Sequence, residues 1–216
     1  MRTALRQGFT MVEILAVIAV IAILMSVAAV GIQKMDQGQA TSTALSVSEA
    51  IFDEARSAAV GRGARARVLI HNDPAEDQRA RYLRYLAVAV EVEGSWEIIS
   101  RGTTLPSGVF FDVVGVQTAT SSVPDIGTYG EMTIALPGDK ASPKACYYYE
   151  FNAEGLCVDS GNDASLPGAA FVVAGGVMPP SAVEPKVQGN NRAGFVVWRS
   201  GRSSLFRNPE HITPSN

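Results

Sequence analysis

The sequence predicts an α+β fold, in which one long N-terminal helix packs on an antiparallel β-sheet or β-sandwich domain. Two observations predict this class. Residues 9–60 contain no proline and no strong break, so a helix can run through them. After Gly63 the apolar residues alternate with a period of two, as in strands that bury one face. A chain of 216 residues is long enough for one such domain and an appendage.

Composition restricts the function classes. Apolar residues make up 47% of the chain and charged residues 18%, against roughly 25% charged in an average soluble domain. This balance argues against disorder and favours a membrane segment. The net charge of −3 argues against a protein that coats nucleic acid over its whole surface. Two cysteines and two histidines argue against a disulfide-dense miniprotein and against a His-based centre.

The N-terminal segment has the pattern of a membrane anchor. Residues 1–8 are polar and contain Arg2 and Arg6, whereas residues 14–32 form an apolar run broken only by one serine and one glycine. A bilayer core needs roughly 20 such residues as helix, and a secretory signal has an apolar region of only roughly 7 to 15. The basic residues before the run predict a cytoplasmic N-terminus and an external remainder.

A specific motif lies at the junction of these two parts. Gly8-Phe9-Thr10-Met11-Val12-Glu13, with the apolar residues 14–18 after it, resembles the class III leader of type IV pilins and type II secretion pseudopilins. The resemblance implies that a prepilin peptidase cuts between Gly8 and Phe9 and methylates the Phe9 amine. It also implies that Glu13 pairs with the amine of a neighbouring subunit during assembly. The alternative is a plain signal anchor with an interfacial Glu13.

The long helix is expected to have two environments. The predicted organisation is a leader at 1–8, a transmembrane and assembly helix at 9–33, an amphipathic helix at 34–61 and a periplasmic β-rich domain at 62–216. In the amphipathic part, small and apolar residues recur at helical spacing, with charged residues on another face. They predict packing on the helix's own domain rather than on a separate partner: Ala44, Val47, Ile51, Ala55 and Ala58.

Alternating apolar residues and turn signals predict the strands of the domain. A turn is expected at Glu93-Gly94, and loops are expected at 117–130 and 175–191. The predicted strands are 65–70, 86–93, 96–99, 109–116, 132–136, 147–151, 169–173, 194–198 and 203–206.

Four segments of this domain resemble the minor pseudopilins of the GspH and FimT type. That resemblance implies a helix packed on β-sheets and a place at or near the tip of a periplasmic pseudopilus. Residues 71–81 and 175–191 depart from it and look like insertions. The segments are Ala55-Arg56-Ser57-Ala58-Ala59 with Arg62-Gly63, Ser100 to Val109, Phe151-Asn152-Ala153-Glu154-Gly155, and Gly201-Arg202.

Catalytic, phosphate-loop and redox motifs are absent from the sequence, which predicts a protein that is not an enzyme and binds no cofactor. The match of residues 61–66 to G-x-G-x-x-A follows a helix instead of a strand, the opposite of the order that a dinucleotide site needs. His71 and His211 lie in polar segments and are predicted to be solvated. The acidic segment 159–163 is predicted to be a solvated loop rather than a calcium site, so no metal is expected.

The two cysteines leave two alternatives open. In an oxidising compartment Cys146 and Cys157 are candidates for a structural disulfide. A tight turn at 152–155 would pair Glu150 with Cys157, which does not place Cys146 opposite Cys157 in a regular hairpin.

The C-terminal region carries a local excess of positive charge. Between Glu184 and Glu210 the sequence has five basic residues and no acid. Some FimT-type pilins capture DNA through a basic C-terminal motif, and the corresponding candidates for phosphate contacts are Arg199, Arg202 and Arg207. Two serines follow Arg202 where that motif has a second arginine, so a solvated surface or salt bridges to neighbouring pilins is the preferred interpretation.

Taken together, the motifs predict a minor pseudopilin of a type II secretion system. Its expected partners are other pseudopilins, the prepilin peptidase and an inner-membrane assembly platform. Its expected location is the inner membrane, with the β-rich domain in the periplasm and later in the filament. The alternative is a FimT-like type IV minor pilin that binds DNA for uptake. A membrane-anchored periplasmic enzyme is a third class, which no residue supports.

Overall fold

A computed structural model of the chain describes residues 11–75, 79–122, 126–158, 167–180 and 182–206. Within these ranges, the side chains of 26–37, 122, 139–141 and 188–190 are not described. The chain divides into two compact units, Met1–Gly38 and Gln39–Asn216.

Two helices and two antiparallel sheets make up the described chain. Helix α1 covers Met11–Arg62 and helix α2 covers Val113–Ser122. The strands are β1 (Ala66–His71), β2 (Tyr85–Val92), β3 (Ser95–Ile98), β4 (Thr103–Thr104), β5 (Val109–Phe111), β6 (Gly130–Leu136), β7 (Asp139–Phe151), β8 (Cys157–Val158), β9 (Gly168–Val177), β10 (Lys186–Trp198) and β11 (Ser203–Phe206). The seven-stranded sheet has the order β3-β2-β1-β7-β6, with β4 beside β2 and β8 beside β7. The four-stranded sheet has the order β11-β10-β9-β5. The predicted α+β class is confirmed.

In the first unit, residues 11–25 of α1 are apolar on all sides of the helix, with Glu13 as the one charged residue. Residues 11–25 contain no proline or glycine, and all of their side chains are exposed. The exposed fraction is 83% for Met11, 65% for Leu15 and 68% for Met25. This segment therefore keeps its helical form without burying its side chains in the described chain.

In the second unit, the C-terminal part of α1 packs one face on the domain. Ala44, Ile51 and Ala55 are buried, and Val47 and Ala58 pack partly buried against the same core. The predicted stripe and its packing on the helix's own domain are confirmed. Phe52, which is not among the residues of the predicted stripe, lies at the centre of this contact. Its ring centroid is between 5.1 and 6.3 Å from those of four aromatic residues: Tyr149, Phe151, Phe171 and Phe195.

The seven-stranded sheet curls into a half-barrel, and a second core cluster lies on the face of this sheet that does not pack on α1. Two small residues on β2, Ala87 and Ala89, are fully buried there. At one end the guanidinium of Arg67 lies between two rings, 3.9 Å from the centroid of Trp96 and 3.8 Å from that of Tyr148. The carboxylate of Glu150, with 1% of its side chain exposed, accepts a 2.6 Å hydrogen bond from Arg67.

A second arginine completes this charged cluster. Arg65 donates two hydrogen bonds of 2.7 Å to Glu91 and a weaker one of 3.3 Å to Glu150. The hydrogen bonds from Arg65 hold the pKa of the Glu91 carboxyl below its usual value, although partial burial opposes the shift. The Glu91 carboxylate is therefore kept ionised beside a cation, and the nearly buried Glu150 carboxylate accepts hydrogen bonds from both arginines.

Two of the predicted elements are wrong at the same place in the chain. The strand expected at 109–116 ends at Phe111, and α2 occupies Val113–Ser122, where part of a loop was predicted. The valines of this segment favour strand by propensity. Val116 and Ala119 are nevertheless both buried one helical turn apart, so packing of the helix overrides propensity.

The loop predicted at 175–191 is also wrong at both of its ends. Strand β9 continues to Val177, and β10 begins at Lys186 and pairs with it, with a register irregularity between Val187 and Arg192. The glycines in this stretch concealed a strand, because their lack of a side chain is what the pairing needs. A Cβ atom on Gly176 would lie 2.7 Å from the carbonyl oxygen of Lys186.

Candidate functional site

The predicted processing site, Gly8 and Phe9, lies outside the described residues. The predicted assembly residue Glu13 lies in the first turn of α1 and is exposed.

The residues that follow Glu13 form the largest exposed apolar surface of the described chain. Nine large apolar side chains between residues 14 and 25 have exposed fractions from 46% to 68%. We call residues 11–25 the apolar segment. Exposed apolar patches of more than a few hundred Å² mark contacts with proteins or lipid in soluble and membrane proteins. This surface therefore needs a partner or a bilayer outside the described chain.

The second predicted site is basic and lies between β10 and β11. Arg199 and Arg202 are both exposed at this turn, whereas Arg207 lies outside the described residues. The turn is closed by the amide of Trp198, which donates to the carbonyl of Arg202 at 2.8 Å, and Gly201 adopts a φ of 76°. We call residues 199–202 the basic turn.

Arg56 of α1 fixes the basic turn to the rest of the domain. Its Nε donates a 3.3 Å hydrogen bond to the carbonyl of Gly155, and its side chain packs on Gly201. A Cβ atom on Gly201 would collide with the Arg56 side chain and lie 2.7 Å from the Gly155 oxygen. Three segments that carry the family resemblance, 55–59, 151–155 and 201–202, thus meet around one arginine. The sequence identified the segments but not their meeting point.

The basic region is smaller than the sequence indicated. Arg192 donates from its Nε to the Asp112 carboxylate at 2.6 Å, so its charge is matched by a nearly buried acid. Near the turn, the hydroxyl of Ser203 donates to Glu49 of α1 at 2.8 Å, which brings one carboxylate to the same region. Three exposed cations remain in the described part of this region, and two of them, Arg199 and Arg202, lie at the basic turn, whereas Lys186 lies at the other end of β10.

Comparison with known proteins gives one match, at the N-terminus. The family model of the prokaryotic N-terminal methylation motif matches residues 4–29, a range that includes Gly8, Phe9 and Glu13. The chain carries the class III prepilin leader of type IV pilin-like proteins. The predicted leader is therefore confirmed. No curated protein and no solved structure matches the chain.

The prepilin leader implies a pilin-like subunit that is processed by prepilin peptidase, anchored in a membrane and assembled with other pilins. Within the described residues, no helix satisfies the length and hydropathy criteria for a membrane span.

The disulfide considered for this pilin-like chain is not formed. Cys146 and Cys157 are both free and buried. Cys157 pairs with Phe151 rather than with Glu150 and belongs to the main core, whereas Cys146 belongs to the second core cluster. The two side chains therefore point to different faces of one sheet. Burial raises the pKa of each thiol to about 12, so neither is a reactive thiolate at neutral pH.

The expectation of a solvated His71 is also wrong. His71 ends β1 opposite Cys146 and is fully buried. Neither ring nitrogen has a hydrogen-bond partner among the described residues. Burial lowers the pKa of the imidazole, and the positive charges of Arg81 and Lys144 lower it further, while Asp73 opposes them. The other predicted polar sites, His211 and the acidic segment 159–163, lie outside the described residues.

Proposed function

We propose that this chain is a non-enzymatic minor pseudopilin of a type II secretion pseudopilus. It is inserted in the bacterial inner membrane with its N-terminus in the cytoplasm, cut between Gly8 and Phe9 and methylated at Phe9. The β-rich domain lies in the periplasm. The observation that carries this proposal is the apolar segment, which follows a prepilin leader and is exposed on every side.

Assembly is the mechanism of such a subunit. Helices that are apolar all round are soluble only in lipid or against other helices, so the apolar segments of neighbouring subunits pack side by side. A carboxylate in that environment is costly without a cation, and the amine created at Phe9 supplies one in the neighbour. Pairing of Glu13 with that amine sets the axial register. Heterologous head-to-tail contacts that do not close generate an open helical filament.

A charge-removal experiment tests this mechanism. We expect Glu13→Ala to be processed normally but to appear at least ten-fold less in the sheared filament fraction, and secretion of the exported protein to fall with it. Glu54→Ala is the matched control, since Glu54 is an exposed acid of the same helix in the second unit. Normal incorporation of the Glu13 variant would contradict the proposed register.

The basic turn supports a second candidate, a type IV minor pilin that binds DNA for uptake. Arg199 and Arg202 are exposed on a turn that Arg56 holds in place, so they can contact phosphates without ordering a loop. The test is a gel shift with duplex DNA over a series of salt concentrations. Binding by the wild type that is lost in Arg202→Ala/Arg207→Ala, and kept in the control Arg62→Ala/Arg101→Ala, would support DNA capture. Equal shifts for both variants would exclude it.

A further inference from the structure

Strand β11 forms an open edge of the four-stranded sheet. It stands at the end of the sheet order, and among the described strands it pairs only with β10. Three of its four residues are exposed, and the exposed fraction of Leu205 is 63%. An edge strand presents unpaired amide and carbonyl groups, so another chain can pair with it.

The strands at the other three ends of the two sheet orders are protected against such pairing. Strand β5 donates the amide of Phe111 to the carbonyl of Leu83, so its outer edge is already in use. Strand β3 carries the exposed charge of Glu97, and β6 carries the exposed Glu131 and a register irregularity. Charges and bulges keep other chains away from an edge. Strand β11 has neither, and it contains no proline.

The register between β10 and β11 shows which backbone groups face outward. The amide of Trp198 donates to the carbonyl of Arg202 at 2.8 Å, so these two opposite residues form a hydrogen-bonded pair. Such pairs recur at every second residue of an antiparallel ladder, so Ser204 also bonds to β10. The amides and carbonyls of the alternate residues, Ser203 and Leu205, consequently point away from β10.

The side chains beside this edge determine which kind of strand fits it. Leu205 lies opposite Phe195, whose ring packs on Phe52 of α1, so Leu205 is on the face of the sheet that α1 covers. Leu205 is nevertheless mostly exposed, and Ser203 on the same face donates a hydrogen bond to Glu49 at the flank of α1. An apolar side chain on an added strand would cover Leu205.

The charge next to this edge sets a second requirement. The basic turn leads directly into β11, so a strand beside β11 has the exposed cations of Arg199 and Arg202 at one end. An acidic residue at that end of the added strand would form a charge-assisted contact with them. In strand addition the backbone hydrogen bonds supply affinity, and side chains at alternate positions supply specificity.

We propose that β11 binds an extended strand of a different pseudopilin, which continues the four-stranded sheet. The strand pairs with the outward backbone groups of Ser203 and Leu205, and it places an apolar residue against Leu205 and an acid against the basic turn. A minor subunit has subunits of other kinds as its neighbours, so the occupant is a different pseudopilin rather than a second copy. This inference rests on the proposed function, because only a filament subunit has such neighbours.

Two substitutions at one position test the backbone contact. Leu205→Pro and Leu205→Ala both remove the leucine side chain, but only proline also removes the outward amide, which the pairing with β10 does not use. In cells that assemble the filament, we expect at least five-fold less Leu205→Pro than Leu205→Ala in the sheared filament fraction. Urea titration of both full chains in detergent should give the same midpoint. Equal incorporation of the two variants would overturn the strand contact.

Photo-crosslinking identifies the occupant and does not require the proline variant to fold. The photoreactive residue p-benzoylphenylalanine replaces Ser203 in the full chain, and in the control it replaces Glu97, an exposed residue of β3. After illumination of the same cells, mass spectrometry identifies the crosslinked chain. We expect a pseudopilin of another kind, crosslinked at least ten-fold more from position 203 than from position 97. A yield from position 203 no higher than the control would overturn the contact.

Three other crosslinked products would each overturn the proposed occupant. The first joins two copies of this chain, the second joins position 203 to residues 207–216 of the same chain, and the third contains a protein that is not a pseudopilin.

The remaining outcomes separate this inference from the proposed function. If Leu205→Pro is incorporated as well as Leu205→Ala while the leader is removed and incorporation depends on Glu13, the strand contact is wrong and the proposed function stands. If the leader stays uncut, both the proposed function and the strand contact are wrong.

Discussion

The two ends of α1 have the same backbone and opposite surroundings. From 11 to 25 every side chain is exposed although nearly all are apolar, whereas from 39 to 62 one face is buried in the core of the domain. The first part has no proline and no charge after Glu13, and the second part carries charges on its outer face. Secondary structure is therefore not what distinguishes the two parts. The difference lies in whether the chain supplies the surface that covers the helix.

Because of this difference, the second part of α1 contributes to the stability of one subunit, and the first part contributes to assembly. Burial of apolar area stabilises the second part within one subunit, at about 25 cal/mol per Å² removed from water. The same area in the first part is still uncovered, so its contribution is made only on assembly or in lipid. Substitutions in the two parts should consequently change different measured quantities.

The largest expected difference compares Phe52→Ala with Leu15→Ala. Phe52 is 3% exposed and contacts four aromatic rings, so its truncation should lower the free energy of unfolding of the domain by about 3–5 kcal/mol. Leu15 is 65% exposed, and its truncation should change that free energy by less than about 0.5 kcal/mol while reducing incorporation into the filament. Urea titration of the full chain in detergent, followed by tryptophan fluorescence, measures the first quantity. Equal losses of stability in the two variants would contradict the conclusion that only the second part of α1 stabilises the domain.

The second-largest loss of stability is expected for Gly155→Ala. This substitution tests the packing of α1 on the turn between β7 and β8. Gly155 has a φ of 76°, and a Cβ atom there would lie 2.7 Å from Val60. Left-handed backbone and overpacking together should cost roughly 2–4 kcal/mol. Gly138→Ala is the control, because Gly138 has a φ of 89° and open space around it, so only the backbone term of roughly 1–2 kcal/mol applies. The same urea titration compares them, and a smaller loss for Gly155→Ala would contradict the packing.

The pH dependence of stability gives a smaller effect, confined to the domain. His71 is buried with a lowered pKa, so the unfolded chain binds its proton first as pH falls. Stability should decrease below about pH 6.5 and continue to decrease until the pH reaches the folded-state pKa, with a slope of at most about 1.4 kcal/mol per pH unit. His71→Phe should flatten this slope in urea titrations between pH 5 and 8, and His211→Gln should leave it unchanged. A slope that persists in His71→Phe would assign it to other groups.

The smallest effect is expected from removing the contact that Arg56 of α1 makes with the basic turn. Arg56→Met removes a 3.3 Å hydrogen bond to the Gly155 carbonyl, which should cost about 0.5–1.5 kcal/mol. The exposed control Arg62→Met should change stability by less than about 0.5 kcal/mol. If the turn positions Arg199 and Arg202, Arg56→Met should also increase protease cleavage after these two residues, whereas the control should not. Unchanged cleavage would show that the turn holds its shape without Arg56.

Features coded locally in the sequence were predicted, and features that depend on distant contacts were not. The leader is a short contiguous motif, and the turn at Glu93-Gly94 is a dipeptide whose two residues both have positive φ, 51° and 79°. The amphipathic stripe was likewise readable because helical spacing is local. Helix α2 was missed because its valines favour strand and only packing selects the helix.

The candidate sites show the same limit. Gly8, Phe9 and Glu13 follow from a contiguous pattern, whereas the role of Arg56 depends on a contact across 99 positions in the chain. The burial of His71 depends on pairing with Cys146, which lies 75 positions later in the chain. Charge counting along the sequence also overestimated the basic region, since Arg192 finds Asp112 at a separation of 80 residues.

The intact mass of the membrane-extracted full chain, expressed with and without a prepilin peptidase, shows whether the chain is processed as a filament subunit. We expect the peptidase to remove residues 1–8 and to add one methyl group at Phe9, and we expect a Gly8→Val variant to stay whole. An unchanged mass in the presence of an active peptidase would contradict it, and the chain would then be an anchored β domain rather than a filament subunit.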